Sequence, residues 1–336
     1  MTKEFLFRVA ATLVCALVVI VAAHTINSYW LRVLSTGLNY ACVALAWGFL
    51  LGYAGQLHFA PAAIWGTGGY ISAILTSKYG FDVWNALLAS GVVGAALGAL
   101  LVPPAARLQK IYLGLFTLAF GELLRLVATN EDAITNGPSG LSLARVHFPF
   151  GMESVFQISM LTLTLLAVCY LALSWFAASS FGLRMQAIRD DQLAADARGV
   201  SVALSKLLAF SISSIVMAVA GGIYVFQTRY VSPDMLGMDY SFQFMVMGLF
   251  GGINTLVGPI VGALSIAFLL ELLRSWETMR LVLLGILVCL NIIIMPAGLI
   301  GTPWRYMLSR RADRYLRGRF GTTKTSAADP SCVGED

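Results

Sequence analysis

The sequence predicts an all-α polytopic membrane protein of about ten transmembrane helices, and three observations carry that reading. Of 336 residues, 58% are hydrophobic and only 12% charged, against about 25% charged in an ordinary soluble domain. Mean hydropathy is +0.80, and apolar runs near the roughly 20 residues needed to cross about 30 Å of hydrocarbon recur along the chain. Those runs lack the period-2 alternation of a barrel, and a helix satisfies its backbone in lipid from within.

Spans are expected at 6–24, 30–51, 57–77, 84–102, 111–128, 155–177, 207–228, 241–254, 256–273 and 280–297. An even number puts both termini on one side. With that side cytoplasmic, fifteen of the 22 Lys and Arg residues face the cytoplasm. The opposite orientation inverts the excess, so the positive-inside rule selects cytoplasmic termini. The first span has a second reading. Lys3 and Arg8 precede a short apolar stretch and then Val21-Ala22-Ala23, the form of a cleavable signal segment, whose removal would leave nine spans.

The chain divides into a transmembrane domain over 1–304 and a tail over 305–336. The tail is arginine-rich, its cations solvated beside anionic lipid, and becomes polar and disordered from Thr322 onward. Two soluble excursions face opposite sides. The outer one, 129–154, opens with Glu131 and Asp132 and turns at Asn136-Gly137-Pro138-Ser139-Gly140, a helix-breaking cluster. The inner one, 179–206, contains FGLRMQAIRDDQLAADARGVSVALSK at Phe181–Lys206. It is the longest charge-bearing segment between spans, with both signs of charge among Ala194, Ala195 and Ala197 and a glycine at Gly199. A helix of this kind suits docking into a groove of another protein, so a separate soluble subunit is the expected engine.

An internal repeat is also expected. Gly114–Phe120 reads GLFTLAF and is followed by Glu122-Leu-Leu-Arg125; Gly262–Phe268 reads GALSIAF and is followed by Glu271-Leu-Leu-Arg274. Both spans run inside to outside, which fits two four-helix units, spans two to five and six to nine. Each Glu/Arg pair sits three residues apart on one helical face. The pairs suit either local ion pairing at a helix end or an outer vestibule that reads an ammonium and a carboxylate.

Gly52–Pro61, reading GYAGQLHFAP, should break a helix, which is tolerated at membrane depth only against protein or a cavity. Gln56 and His58 would then be pore-lining groups. The row Gly66–Tyr70 suggests close helix packing. Gly251-Gly252-Ile253-Asn254-Thr255-Leu256-Val257-Gly258-Pro259 is the matching element near the other end. The five cysteines and three histidines form no CxxC or Cys/His spacing, so no metal site is expected. The chain contains no GxxxxGK[ST] phosphate loop, and neither an Asp-rich metal motif nor a nucleophile–base pair is evident. The chain is therefore not expected to be an enzyme or to bind a cofactor.

Several segments together resemble a known family. GYAGQLHFAPAAIWGTGGYISA, YLGLFTLAFGELLRLV with TNGPSGL downstream, FGLRMQAIRDDQLAADARGVSVALSKLLAF and YVSPDM…GGINTLVGPIVGA are similar, in order over about 35–300, to the LivM branch of branched-chain amino acid ABC transporter permeases. The resemblance implies an ABC importer permease fold in a bacterial inner membrane. It implies a homologous second permease, two cytoplasmic ATPase subunits that use the ATP, and a periplasmic substrate-binding protein. The coupling helix would fall in Arg184–Gly199, with Arg184, Ala187, Arg189, Asp190, Asp191, Ala194, Ala195 and Gly199 as the ATPase-coupling residues. Gln56, His58, Trp65, Thr117, Glu122 and Asn254 are the substrate-pathway candidates. One stretch departs from the family pattern Gly-Gln-x-Ser-x-Gly-His: His58, Ala60 and Pro61 stand where Ser, Gly and His are usual, and Trp65 where a smaller aromatic is. The cargo is accordingly left open between branched-chain amino acids and related amides or carboxylates. A stand-alone secondary carrier of amino acids or organic acids is the alternative, and charge changes in 181–206 would leave its transport intact.

Overall fold

The computed structural model describes residues 27–108, 110–143 and 154–274, with isolated positions at 12, 282, 285, 286 and 298–300. The expected first span, residue 12 excepted, and the basic tail lie outside the described residues, as do the tenth span, three positions excepted, and 144–153 of the outer loop.

The long helix α1 (Ser28–Ala54) runs through the middle of the bundle and is buried on every side from Gly37 to Leu50. A helix that is apolar all round belongs in an interior, and α1 packs chiefly against four others. These are α7 (Ser154–Ala178), α10 (Val202–Thr228), α11 (Met238–Gly251) and α12 (Val257–Leu272). A second layer forms where α10 packs on α2 (Pro61–Tyr79) and α3 (Val83–Leu100). Close approach there requires glycine. A Cβ on Gly68 would lie 2.1 Å from the Ala218 carbonyl oxygen, and one on Gly221 would lie 1.8 Å from that of Trp65. The short α4 (Val102–Arg107) and the peripheral α5 (Lys110–Asn130) complete this side. Exposed Ile111, Leu115, Leu123 and Leu126 on α5 give it an apolar outer face.

All eight spans expected between 30 and 273 overlap helices, although 57–60 and 252–254 fall in non-helical breaks. Five helical stretches among the described residues are long and apolar enough to cross a membrane: 28–54, 83–107, 111–130, 155–178 and 202–228. α11 and α12 are shorter, at 14 and 16 residues, because the Gly251–Leu256 turn interrupts the apolar run. At one end, α6 (Asp132–Thr135) leads through a 3₁₀ turn at Gly137–Ser139 into β1 (Leu141–Ser142). β1 pairs antiparallel with β2 (Tyr230–Val231), Leu141 opposite Val231. This two-stranded ribbon is a small addition to the expected all-helical fold. The opposite end carries α8 (Ser180–Asp190) and α9 (Gln192–Ala197).

Candidate functional site

α8 and α9 form the expected polar segment, and a carboxylate divides them. Ser179 caps α8 by accepting from the Phe181 N–H. Asp191 leaves the helix at φ −151°, and its Oδ1 accepts from the N–H groups of Leu193 and Ala194 at 2.9 and 3.1 Å, starting α9. Gly182, Met185 and Ile188 recur every three residues on α8 and are buried. Ile188, Ala195 and Val202 pack together in a small cluster of their own. Ala195 is therefore a packing residue, whereas Arg184, Ala187, Asp190 and Ala194 are exposed. Gly199 takes the left-handed φ of +81° with nothing near its Cβ position, so glycine is favoured there by conformation. Two leucines on this surface, Leu183 and Leu193, are 68% and 74% exposed. Arg184, Asp190, Asp196 and Arg198 form no ion pair with another described residue. Exposed leucines ringed by uncommitted charges of both signs are the composition of a docking face.

Two cations bind this segment to the bundle. Arg189 is exposed but reaches back to the bundle, its Nη1 donating to the Gly52 carbonyl in the last turn of α1. Buried Lys206, at the start of α10, donates to the Ala105 carbonyl of α4 at 2.7 Å and to Gln192 Oε1 at 2.9 Å. Gln192 Nε2 in turn donates to the Ala106 carbonyl at 3.2 Å. Helix C-termini present unpaired carbonyls with partial negative charge, which cations satisfy. A cavity of about 240 Å³ lies under the segment, with Gln56, Arg189, Asp190, Gln192 and Lys206 in its wall. Lys206 and Gln192 were missed as site residues; a lysine one turn into an apolar helix was the available signal.

The break in the first interior helix is where the sequence puts it. Gly55 adopts φ +63°; its N–H bonds the Leu51 carbonyl and the Gln56 N–H that of Leu50, closing α1 as a glycine cap does. Residues 55–60 then run as non-helical backbone until Pro61 opens α2. Side chains from other helices satisfy this backbone: Trp47 Nε1 donates to the His58 carbonyl at 3.0 Å, and the Phe59 N–H donates to Thr117 Oγ1 at 2.9 Å. The second glycine-rich element packs directly on the first, since a Cβ on Gly52 would lie 2.1 Å from the Ile253 carbonyl oxygen.

The six pathway candidates do not converge. Gln56 reaches the cavity beneath α8 and α9 and donates to the Ala54 carbonyl. His58 is fully buried against Phe210, with ring centroids 5.9 Å apart, and neither ring nitrogen has a partner among the described residues. Thr117 supports the break. Trp65 is fully buried, its Nε1 donating to Asn39 Oδ1 at 3.1 Å, beneath the rings of Tyr40, Tyr224 and Tyr240. Asn254 is exposed in the turn before α12. Glu122 pairs with Arg125 at 3.0 Å, and Arg125 reaches Asp234 at 3.7 Å. The second pair, Glu271 with Arg274, closes at 3.1 Å, and Glu271 also accepts from the Tyr29 hydroxyl. Those contacts, Glu271 first and Tyr29 second, raise the Arg274 pKa above its ordinary value. Both pairs lie at the ribbon end.

Apolar helices packed through glycines around a broken interior helix, with one charged helical segment exposed at an end, define an all-α, multi-pass membrane protein. Residues 29–292 match the family described as "Branched-chain amino acid transport system / permease component", and the chain belongs to that family. It is 29% identical over 286 residues to the high-affinity branched-chain amino acid transport system permease protein LivM of Salmonella typhimurium, covering 78% of this chain and 67% of that one. The LivM of Escherichia coli is 28% identical over the same shares. The autoinducer 2 import system permease protein LsrC of Yersinia pseudotuberculosis is 30% identical over 224 residues, 59% of this chain and 62% of that one. No solved structure matches.

Proposed function

We propose that the chain is the permease subunit of an ATP-driven importer that moves a small polar solute, a branched-chain amino acid or a related amide or carboxylate, across the inner membrane. Ten spans would place both termini in the cytoplasm. The matched Glu/Arg pairs at one end of the bundle support a tandem four-helix arrangement. The chain works beside a homologous second permease, with two cytoplasmic ATPases and a periplasmic binding protein. One observation carries this reading: α8 and α9 expose leucines and uncommitted charges outward while Arg189 and Lys206 fasten them to the ends of α1 and α4. An ATPase that pushes on this surface moves the segment as a body. The clasps pass that motion to the central helix and to α10, tilting the bundle from outward- to inward-facing.

The test is uptake by proteoliposomes holding the co-purified assembly, with periplasmic extract outside and labelled leucine, acetamide or benzoate offered in turn. Accumulation of at least one solute with ATP inside, and none with a non-hydrolysable analogue, is the expected result. Accumulation driven by a proton gradient with the analogue inside would make the chain a stand-alone carrier.

A further inference from the structure

A cavity of about 520 Å³ opens at the ribbon end, between α1, α10, α11 and α12. That size falls in the range of small-molecule sites, roughly 300–1,000 Å³. Helical spacing aims its walls. On α1, Tyr29, Arg32, Thr36 and Tyr40 fall on one stripe; Ala267, Leu270 and Glu271 of α12 do the same, with Arg274 in the turn just beyond it. Tyr240 and Gln243 of α11 and Tyr224 of α10 complete the lining.

The charges are unequally committed. Glu271 is bound by Arg274 and by Tyr29. The Arg32 guanidinium makes no hydrogen bond or ion pair with another described residue, which leaves the cavity with a surplus positive fork. A planar guanidinium binds a carboxylate through two parallel hydrogen bonds. The backbone beneath Arg32 is held firmly: Gln227 Nε2 donates to the Arg32 carbonyl at 3.1 Å and to Thr36 Oγ1 at 2.9 Å, and Ser35 Oγ donates to Gln227 Oε1 at 3.0 Å. The floor is aromatic. Tyr40 and Tyr224 stack at 5.9 Å, and both rest on buried Trp65. Such a floor offers aromatic surface to a flat body, with Val33, Ala267 and Leu270 as the aliphatic groups of the wall.

We propose that this cavity is a solute-binding site for a small monocarboxylate with a flat aromatic or polar body, whose carboxylate is taken by Arg32. The site rests on the transport reading only for its purpose, since binding there needs neither ATP nor an ATPase.

The test uses the full-length chain in lipid nanodiscs, titrated with radiolabelled benzoate and, separately, radiolabelled leucine by scintillation proximity. Benzoate is expected to bind saturably and more tightly than leucine. Arg32→Gln should weaken it by roughly tenfold or more, the equivalent of about 1.4 kcal/mol, with Arg32→Lys intermediate and Asp82→Asn, at an exposed position outside the cavity, unchanged. Melting curves confirm that each variant is folded; should Arg32→Gln fail to fold, Gln243→Leu, expected to weaken benzoate severalfold, replaces it. No saturable benzoate binding, or binding unmoved by a folded cavity variant, overturns the site, and tighter binding of leucine overturns the flat-body assignment. Failure of the chain to associate with any ATPase would sink the importer reading and leave benzoate binding standing, so the two claims fall separately.

Discussion

The two ends of the bundle use their cations differently. Beneath the coupling segment, Arg189 and Lys206 donate to backbone carbonyls of other helices, Gly52 in α1 and Ala105 in α4. At the ribbon end Lys78 does the same with the Ala133 and Ile134 carbonyls of α6, but Arg125 and Arg274 pair with carboxylates three residues back, and the Arg32 guanidinium bonds no other described residue. A cation seated on a neighbour's backbone locks two elements together and satisfies a helix end. An exposed pair within one turn is worth about 0–1 kcal/mol and fixes little beyond itself. The first arrangement suits transmission of a push, and the second suits recognition of a solute.

The strongest way to break this contrast is to reverse charge on the coupling face. Asp190→Arg with Asp191→Arg should reduce ATP-dependent uptake to background while the amount of protein in the membrane stays unchanged. The pair removes an exposed acid and the cap of α9, worth about 1 kcal/mol; uptake near wild type would refute the docking role. Gly199→Glu should also abolish coupled uptake, because a side chain at φ +81° adds about 1–2 kcal/mol of strain and a new carboxylate on the same surface.

Lys206→Met sharpens the clasp. It leaves the Ala105 carbonyl and Gln192 Oε1 without this donor, each at a cost of about 1–3 kcal/mol when buried. Uptake should fall roughly tenfold, equivalent to about 1.4 kcal/mol in the barrier, and the melting temperature in nanodiscs should drop. A variant that melts earlier yet transports normally per folded molecule would reduce Lys206 to a stability role.

Thr117→Val should act on stability alone. Removing the acceptor of the Phe59 N–H costs about 1–3 kcal/mol, read as a lower melting temperature with unchanged uptake per folded molecule. A changed choice of solute would return Thr117 to the pathway. The smallest effect belongs to Glu122→Gln, whose exposed pair should cost less than about 1 kcal/mol and leave uptake within roughly twofold. A large loss there would show that the ribbon-end pairs do more than close on themselves.

Much of the fold was legible because apolar runs and glycine breaks are local signals. The break within 52–61 and the polar segment at 179–206 needed no tertiary information, although the third span was expected from 57 and α2 opens at Pro61. The ribbon was not legible, since Leu141–Ser142 finds its partner about ninety residues away. Within the coupling segment, the division of labour was only half written. Gly182, Met185 and Ile188 mark an inward face, but nothing local says that Arg189 turns toward Gly52 or that Ala195 is buried. Thr117 and His58 show what packing adds to a polar residue in an apolar chain: Thr117 accepts the Phe59 N–H, whereas the His58 ring lies buried beside Phe210. The same residue type serves a pathway or satisfies a neighbour's backbone, and only packing separates the two. The tyrosine stripe of α1 carried a readable spacing, but that it meets Arg274 and Tyr240 depends on how three helices converge.

The most direct test of the coupling account is mild-detergent purification of the tagged chain from its native membranes, with partners identified by mass spectrometry. The account predicts a second permease and Walker-motif ATPases with the wild type, and loss of the ATPases alone from Asp190→Arg/Asp191→Arg. Recovery of the wild-type chain by itself, or ATPases retained by the reversed variant, would contradict it.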